Sequence, residues 1–157
     1  MILAEHEVPR WVVVVTFLLS LAGLGLSIYL TVTHYTGARL AGCPVTGVVN
    51  CSVVTTSAQS YILGIPVAVL GLADYVTMTA LNSPWAWRAK SYWIHLSRFV
   101  LAILSMGFVL WLVFAELIII QHICEYCTGV HVITFALLIV LTTISPVQLG
   151  WTRSGAQ

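Results

Sequence analysis

Four long apolar segments constrain this chain more than any other feature of its sequence. They lie at residues 11–33, 61–81, 94–120 and 126–144. An apolar helix of about 20 residues is long enough to cross the hydrocarbon core of a bilayer. A soluble domain would instead need a charged surface, and only 7% of these residues are charged while 60% are hydrophobic. We therefore predict an all-α fold, a four-transmembrane-helix bundle that forms one polytopic membrane domain over residues 1–157.

The same scarcity of charge excludes several classes of protein. A net charge of +1 does not provide the basic surface that a nucleic-acid-binding protein needs. The apolar content is too high for a disordered chain. Glu5 and Glu7, together with the length of the first apolar segment, argue against a cleaved signal peptide. Small residues at Gly23 and Gly25 predict that the first helix packs closely against a neighbour.

Basic residues predict how the bundle is oriented in the membrane. Only Arg39 falls in the loop at residues 34–60, whereas the other basic residues fall at the termini or near the second loop: Arg10, Arg88, Lys90, Arg98 and Arg153. Loops rich in Lys and Arg stay in the cytoplasm, so we expect both termini to be cytoplasmic. Tryptophans that would form an interfacial belt cluster at the same ends: Trp11, Trp85, Trp87, Trp93 and Trp151.

This orientation puts all four cysteines on the outer face, where conditions favour disulfides. Cys43 and Cys51 lie in the first outer loop, which we expect to carry a short helix. Cys124 and Cys127 lie in or next to the second outer loop, at the start of the fourth helix. Residues three apart in a helix share one face. Because a helix N-terminus lowers the pKa of a thiol, this Cys-x-x-Cys is typical of a redox dithiol.

Two alternatives to a redox role use the same cysteines. A metal site is one, but the seven residues between Cys43 and Cys51 are poor zinc spacing, and no His follows Cys127 to complete a c-type haem motif. A non-enzymatic scaffold with two structural disulfides is the other, although a bridge from Cys124 to Cys127 would constrain very little of the unfolded chain. We favour an electron relay by thiol–disulfide exchange. Since no flavin, haem or nucleotide motif is present, a membrane quinone is the expected electron acceptor.

The chain resembles the vitamin K epoxide reductase family, including its bacterial disulfide-forming homologues, from about residue 11 to residue 144. The resemblance rests on Cys43-x7-Cys51, then Ser57, then Gly64-Ile65-Pro66 with Gly71, and finally Cys124-x-x-Cys127. In DsbB, another four-span quinone-linked disulfide generator, the two cysteine pairs occur in the opposite order.

The resemblance implies a role for each cysteine. Cys43 would exchange with a reduced thioredoxin-fold partner of the DsbA-like kind, and Cys51 would swing to attack Cys124. Cys127 would pass electrons to a quinone of the ubiquinone, menaquinone or vitamin K type. The chain ends at Gln157, so we expect a separate extracytoplasmic partner and a bacterial plasma membrane. The alternative activity is a quinone or vitamin K epoxide reductase whose main product is the reduced quinone.

Three polar residues within or near the spans, Ser57, His131 and Glu116, are candidates for the quinone site together with Cys127, whereas a fourth, Asp74, is not. Ser57 matches a family hydroxyl near the quinone, on the short helix after Cys51. His131 is one turn after Cys127, on the same helical face, in place of an aromatic residue of animal members. Glu116 either relays protons or is a neutral carboxyl bonded within the bundle. For Asp74, which we expect far from the cysteines, a structural polar contact is favoured.

Overall fold

A computed structural model describes residues 8–43, 47–89 and 91–149. Within these ranges the helices are α1 (Arg10–Thr36), α2 (Cys51–Thr56), α3 (Val67–Leu81), α4 (Pro84–Arg88), α5 (Tyr92–Phe114) and α6 (Glu125–Gln148). A single 3₁₀ turn covers Ala58–Ser60, and a π-helical segment, Ala115–Ile120, continues α5. The only sheet in the described ranges is a hairpin of β1 (Tyr61–Ile62) and β2 (Ile65–Pro66). This architecture confirms the predicted all-α membrane class.

Within the part of the chain that the structure describes, three helical segments are long and apolar enough to cross a membrane: Arg10–Thr36, Tyr92–Ile120 and Glu125–Pro146. The helix α3 is apolar but has only 15 residues. Of the four predicted spans, three therefore have full spanning length and the second is shorter than expected.

The predicted second span was wrong at its start, because residues 61–66 form the hairpin rather than helix. Leu63 and Gly64 both have positive φ, 51° and 82°, as the two central residues of a type I′ turn require. Pro66, with φ of −59°, then directly precedes α3. Its missing N–H costs nothing there, since the first amides of a helix have no partner within the helix.

The four long helices form a closed bundle. The helix α1 packs against α3 and α6, and α5 packs against α6 and α3. At Gly23 of α1, a Cβ atom would lie 1.9 Å from Cε1 of Tyr75, so only glycine permits this approach. Nothing lies within 4 Å of the Cβ position at Gly25. The predicted close packing is thus confirmed at Gly23 and is not needed at Gly25.

Arg98 and Trp87, which we expected in the second loop and at the membrane interface, lie in the core instead. Arg98 lies within α5, is 1% exposed and donates from Nε to the Leu81 carbonyl at 3.0 Å. Its guanidinium stacks 3.6 Å above the buried Trp87 ring, whose Nε1–H donates to Thr16. Arg98 therefore stabilises the C-terminal end of α3, where a cation interacts well with the helix dipole.

The remaining residues used for the orientation prediction divide into two groups. Arg10 and Arg88 lie at the Arg98 end of the bundle, opposite the cysteines. The exposed tryptophans there are Trp11, Trp85 and Trp93. Lys90, Trp151 and Arg153 lie outside the described residues. The sidedness of the membrane stays a prediction.

Candidate active site

The loop between α1 and α3 carries the first cysteine pair. Cys43 and Cys51 form a disulfide, with their Cα atoms 6.1 Å apart. Cys51 is the first residue of α2, and its N–H donates to Cys43 Sγ at 3.3 Å. Asn50 caps this helix, since its Oδ1 accepts from the Val53 N–H at 3.2 Å. The cap and the disulfide together hold Cys51 at the N-terminus of α2.

A short parallel bridge joins this loop to the segment before α6. Val49 pairs with Ile123, and the Asn50 N–H donates to the Ile123 carbonyl at 3.0 Å. In return, the Ile123 N–H donates to the Val48 carbonyl at 2.9 Å. Because a cysteine follows each bridged residue closely, at positions 51 and 124, the bridge brings one cysteine of each pair together.

The second cysteine pair lies at the start of α6 as a free dithiol. Cys124 directly precedes the helix and is fully buried, and its Sγ accepts from the Cys127 N–H at 3.4 Å. This contact has the pattern of an N-cap bond from the third helical amide. The pKa of the Cys124 thiol is lowered, chiefly because the Cys127 side chain hydrogen-bonds to it, and also by nearby backbone N–H groups. A lowered pKa favours the thiolate, which is the reactive form.

The two pairs meet in a small buried cluster. Cys51, Val54 and Cys124 form its core, with Cys51 1% exposed. Cys43 and Cys127 are among the partly buried residues that pack against this core. Cys51 and Cys124 therefore belong to one packed cluster. The movement of Cys51 to attack Cys124 that the resemblance implies stays a prediction.

A cavity of about 290 Å³ lies inside the bundle next to this cluster. All four long helices line it, and most of the lining surface is apolar. Cys127 is the cysteine that lines this cavity, whereas Cys124 packs against Cys51. All four residues predicted to contact a quinone line the cavity: Cys127, Ser57, His131 and Glu116. The structure therefore brings these four predicted quinone-site residues together around one cavity.

These polar residues reach the cavity from different elements. Ser57 lies just after α2 rather than on it, and its hydroxyl donates to the Val54 carbonyl at 2.8 Å. His131 is 8% exposed, and its ring hydrogen-bonds to no residue in the described ranges. Glu116 is 6% exposed, and its carboxyl accepts from the backbone N–H of Cys124. Glu116 lies in the π-helical segment, a local structure that is frequent at functional sites.

Asp74 is a cavity residue that sequence reasoning missed. It lines the same cavity, and Ser105 Oγ of α5 lies 2.7 Å from its Oδ1. The structural polar contact expected for Asp74 is the one with Ser105, and both residues line the cavity. The signal in the sequence was the helical spacing from Gly71, since residues three apart lie on one face.

The described residues contain no group of three or more His, Cys, Asp or Glu that could hold a metal ion. A model of the Vitamin K epoxide reductase family matches residues 14–142 of the chain. The match extends from α1 into α6 and includes both cysteine pairs and the cavity residues.

Proposed function

The chain belongs to the vitamin K epoxide reductase family and is therefore a quinone-linked membrane oxidoreductase, and on this premise we propose that it generates disulfides. It oxidises the thiols of a separate thioredoxin-fold partner of the DsbA-like kind and passes the electrons to a membrane quinone. The four cysteines form the pathway, and Ser57, His131 and Glu116 contribute to the quinone site.

The exchange proceeds by mixed disulfides in which atoms and electrons balance. A partner thiolate attacks Cys43 and releases Cys51 as a thiolate. The second partner thiolate then attacks the partner sulfur of this mixed disulfide, so the partner leaves as a disulfide and Cys43 is released as a thiolate. The Cys51 thiolate attacks Cys124 of an oxidised Cys124–Cys127 pair and releases Cys127 as a thiolate. The Cys43 thiolate then attacks Cys51, which re-forms the Cys43–Cys51 disulfide and releases Cys124 as a thiolate. The result is a Cys43–Cys51 disulfide beside a Cys124/Cys127 dithiol, which is the state of the structure.

One observation carries this proposal more than any other. Cys51 and Cys124 belong to one buried cluster, while Cys127 of the second pair lines the cavity. A dithiol with one sulfur toward the donor disulfide and the other toward an apolar pocket suits transfer between a protein thiol and a lipid-soluble acceptor.

The cavity suits the head of a quinone. Small-molecule pockets typically have volumes of about 300–1,000 Å³, apolar walls and a few polar groups. About 290 Å³ is near the lower end of that range. A quinone accepts two electrons and two protons, and the dithiol supplies both electrons as it forms a disulfide. His131 is free to hydrogen-bond a ring oxygen. Glu116 lines the same cavity and accepts from the Cys124 N–H, which suits it to relay protons between the dithiol and the quinone.

The proposed location is a bacterial plasma membrane with the cysteine end outside and both termini in the cytoplasm. Arg10 and Arg88 lie at the opposite end of the bundle, in agreement with the positive-inside rule. Disulfides also persist in an extracytoplasmic compartment and not in the reducing cytoplasm.

Trapping the first intermediate tests the cysteine pathway. In Cys51→Ala, Cys43 has no mate to resolve a mixed disulfide. We therefore add a thioredoxin-fold protein that keeps a single active-site cysteine, activated as a mixed disulfide with thionitrobenzoate. The Cys43 thiolate should displace the thionitrobenzoate and form a covalent adduct with this protein. Non-reducing gel electrophoresis would detect it. The control is Cys43→Ala with Cys51→Ala, which should form no adduct. Equal adduct in the double variant, or none in the single one, contradicts the pathway.

Quinone reduction tests the second half. Purified protein that receives electrons from a reduced thioredoxin-fold dithiol should bleach the absorbance of a short-tailed quinone catalytically. Cys127→Ala should abolish this turnover but leave cleavage of the Cys43–Cys51 disulfide by the dithiol intact. Undiminished turnover in Cys127→Ala would show that this cysteine is not on the route.

A further inference from the structure

We propose that Asp74 and Ser105 form a second polar subsite of the cavity, which hydrogen-bonds an oxygen of the quinone ring in both of its redox states. The proposal rests on the proposed function, since it takes the ligand to be a quinone. Asp74 lies on α3 and Ser105 on α5, and both line the cavity that also contains Cys127 and His131. The subsite therefore joins two walls of one space.

The number of protons in this pair is informative. Ser105 Oγ lies 2.7 Å from Asp74 Oδ1 and 2.8 Å from the Leu101 carbonyl oxygen. A serine hydroxyl has one proton to donate, and both neighbours are acceptors if the carboxyl is ionised. The two contacts are satisfied together when Asp74 is protonated and donates to Ser105, which in turn donates to Leu101. The geometry thus fits a neutral carboxylic acid.

The surroundings of Asp74 agree with this count. Among residues 8–43, 47–89 and 91–149, its side chain hydrogen-bonds only to Ser105 and makes no ion pair. Arg98, the arginine of α5, contacts the Leu81 carbonyl and the Trp87 ring at the end of α3 instead. An ionised carboxyl without a partner in apolar surroundings would be costly.

A neutral carboxyl can serve both forms of the ligand, because it has one donor and one acceptor oxygen. When a ring carbonyl is bound, the Asp74 O–H turns to it and the Ser105 hydroxyl turns from Leu101 to the other carboxyl oxygen. When a ring hydroxyl is bound, Asp74 donates to Ser105 and its second oxygen accepts from the ligand. The Ser105 hydroxyl has an acceptor in each arrangement. Ser105 is therefore a positioning residue that acts through Asp74.

Substitutions that separate hydrogen bonding from charge test the subsite. Asp74→Leu keeps the approximate size but removes both the donor and the acceptor. Since the bond is made to the bound quinone before reaction, we expect KM for a short-tailed quinone to rise about 2- to 10-fold with kcat nearly unchanged. Asp74→Asn keeps a donor and an acceptor and should retain the KM of the original protein. Thr77→Leu, on the exposed side of α3, is the matched control and should also leave KM unchanged.

The outcomes distinguish this proposal from the proposed function. If the unsubstituted protein reduces no quinone, the proposed function fails. If it does, and Asp74→Leu has an unchanged KM, the subsite is refuted; a rise in Asp74→Asn as large as in Asp74→Leu would refute it equally. Asp74→Ala removes the same two groups and provides a second variant if the leucine protein does not fold. Adding Ser105→Ala to Asp74→Leu should raise KM no further, because Ser105 acts through Asp74.

Discussion

Replacing Gly23 by alanine probes the packing of α1 on α3 and, through Tyr75, the wall of the cavity. The new Cβ would lie 1.9 Å from Cε1 and 2.4 Å from Cδ1 and Cζ of Tyr75. Carbon atoms in contact prefer a separation of about 3.5–4.0 Å, so the ring or the helix has to move by more than about 1 Å. The Tyr75 hydroxyl is bonded to Thr134 Oγ1 at 2.8 Å and to the Val130 carbonyl at 3.1 Å, so a displaced ring also loses these bonds.

The expected cost follows from these contacts. Overpacking costs about 1–3 kcal/mol, and losing the Tyr75 hydrogen bonds costs about 1 kcal/mol. Alanine is favoured over glycine in a helix by about 1 kcal/mol, which offsets the second of these. The free energy of unfolding should therefore fall by about 1–3 kcal/mol. For about 2 kcal/mol in a chain of this size, the unfolding midpoint falls by roughly 4–8 °C.

Thermal unfolding in a mild detergent measures this difference. A fluorogenic thiol reagent reports unfolding, because Cys124 is fully buried in the folded protein. Gly25→Ala is the matched control, since nothing lies within 4 Å of its Cβ position, and it should be as stable as the original protein or more so. In a Tyr75→Ala background the penalty of Gly23→Ala should disappear. If Gly23→Ala unfolds at or above the midpoint of Gly25→Ala, the packing argument is wrong.

Two further predictions concern the chemistry at α6. His131→Phe should slow quinone reduction while leaving exchange between the partner and the Cys43–Cys51 pair intact; unchanged kinetics in both half-reactions would remove His131 from the site. Cys127→Ala should raise the pKa of Cys124, because the side chain that lowers it is gone. The ultraviolet absorbance of the first thiolate should therefore appear at a higher pH in this variant than in the original protein. A titration midpoint that does not move would contradict the assigned cause.

The bundle was predictable where local composition determines structure. Long apolar runs form helices in a bilayer because every backbone group must be satisfied within the segment. This argument located α1, α5 and α6 closely, as it depends only on length. It failed at residues 61–66, where Tyr61, Ile62 and Ile65 are as apolar as a span. The hairpin there depends on two positive φ values that hydropathy does not register.

Contacts between distant residues were less predictable. The cysteines were identified from their spacing and from the predicted topology. Ser57 followed from the resemblance, His131 from helical spacing as well as the resemblance, and Glu116 from its position in the third span. Arg98 was misassigned because its acceptor, the Leu81 carbonyl, belongs to another helix. The sequence gives the position of Asp74 along α3 but does not show the cavity, which extends from Cys127 to Ser105. Asp74 was therefore not predicted to lie in the site.

The bridge between Val49 and Ile123 has a kinetic consequence. The bridge holds the segments that precede Cys51 and Cys124 together, so the proposed exchange between these cysteines would proceed as if at very high local concentration. In the proposed pathway, the bimolecular steps are then the attack of the partner on Cys43 and the binding of the quinone. Turnover should rise with partner concentration and reach a plateau, and beyond that plateau the supply of quinone, not of thiols, will govern the rate.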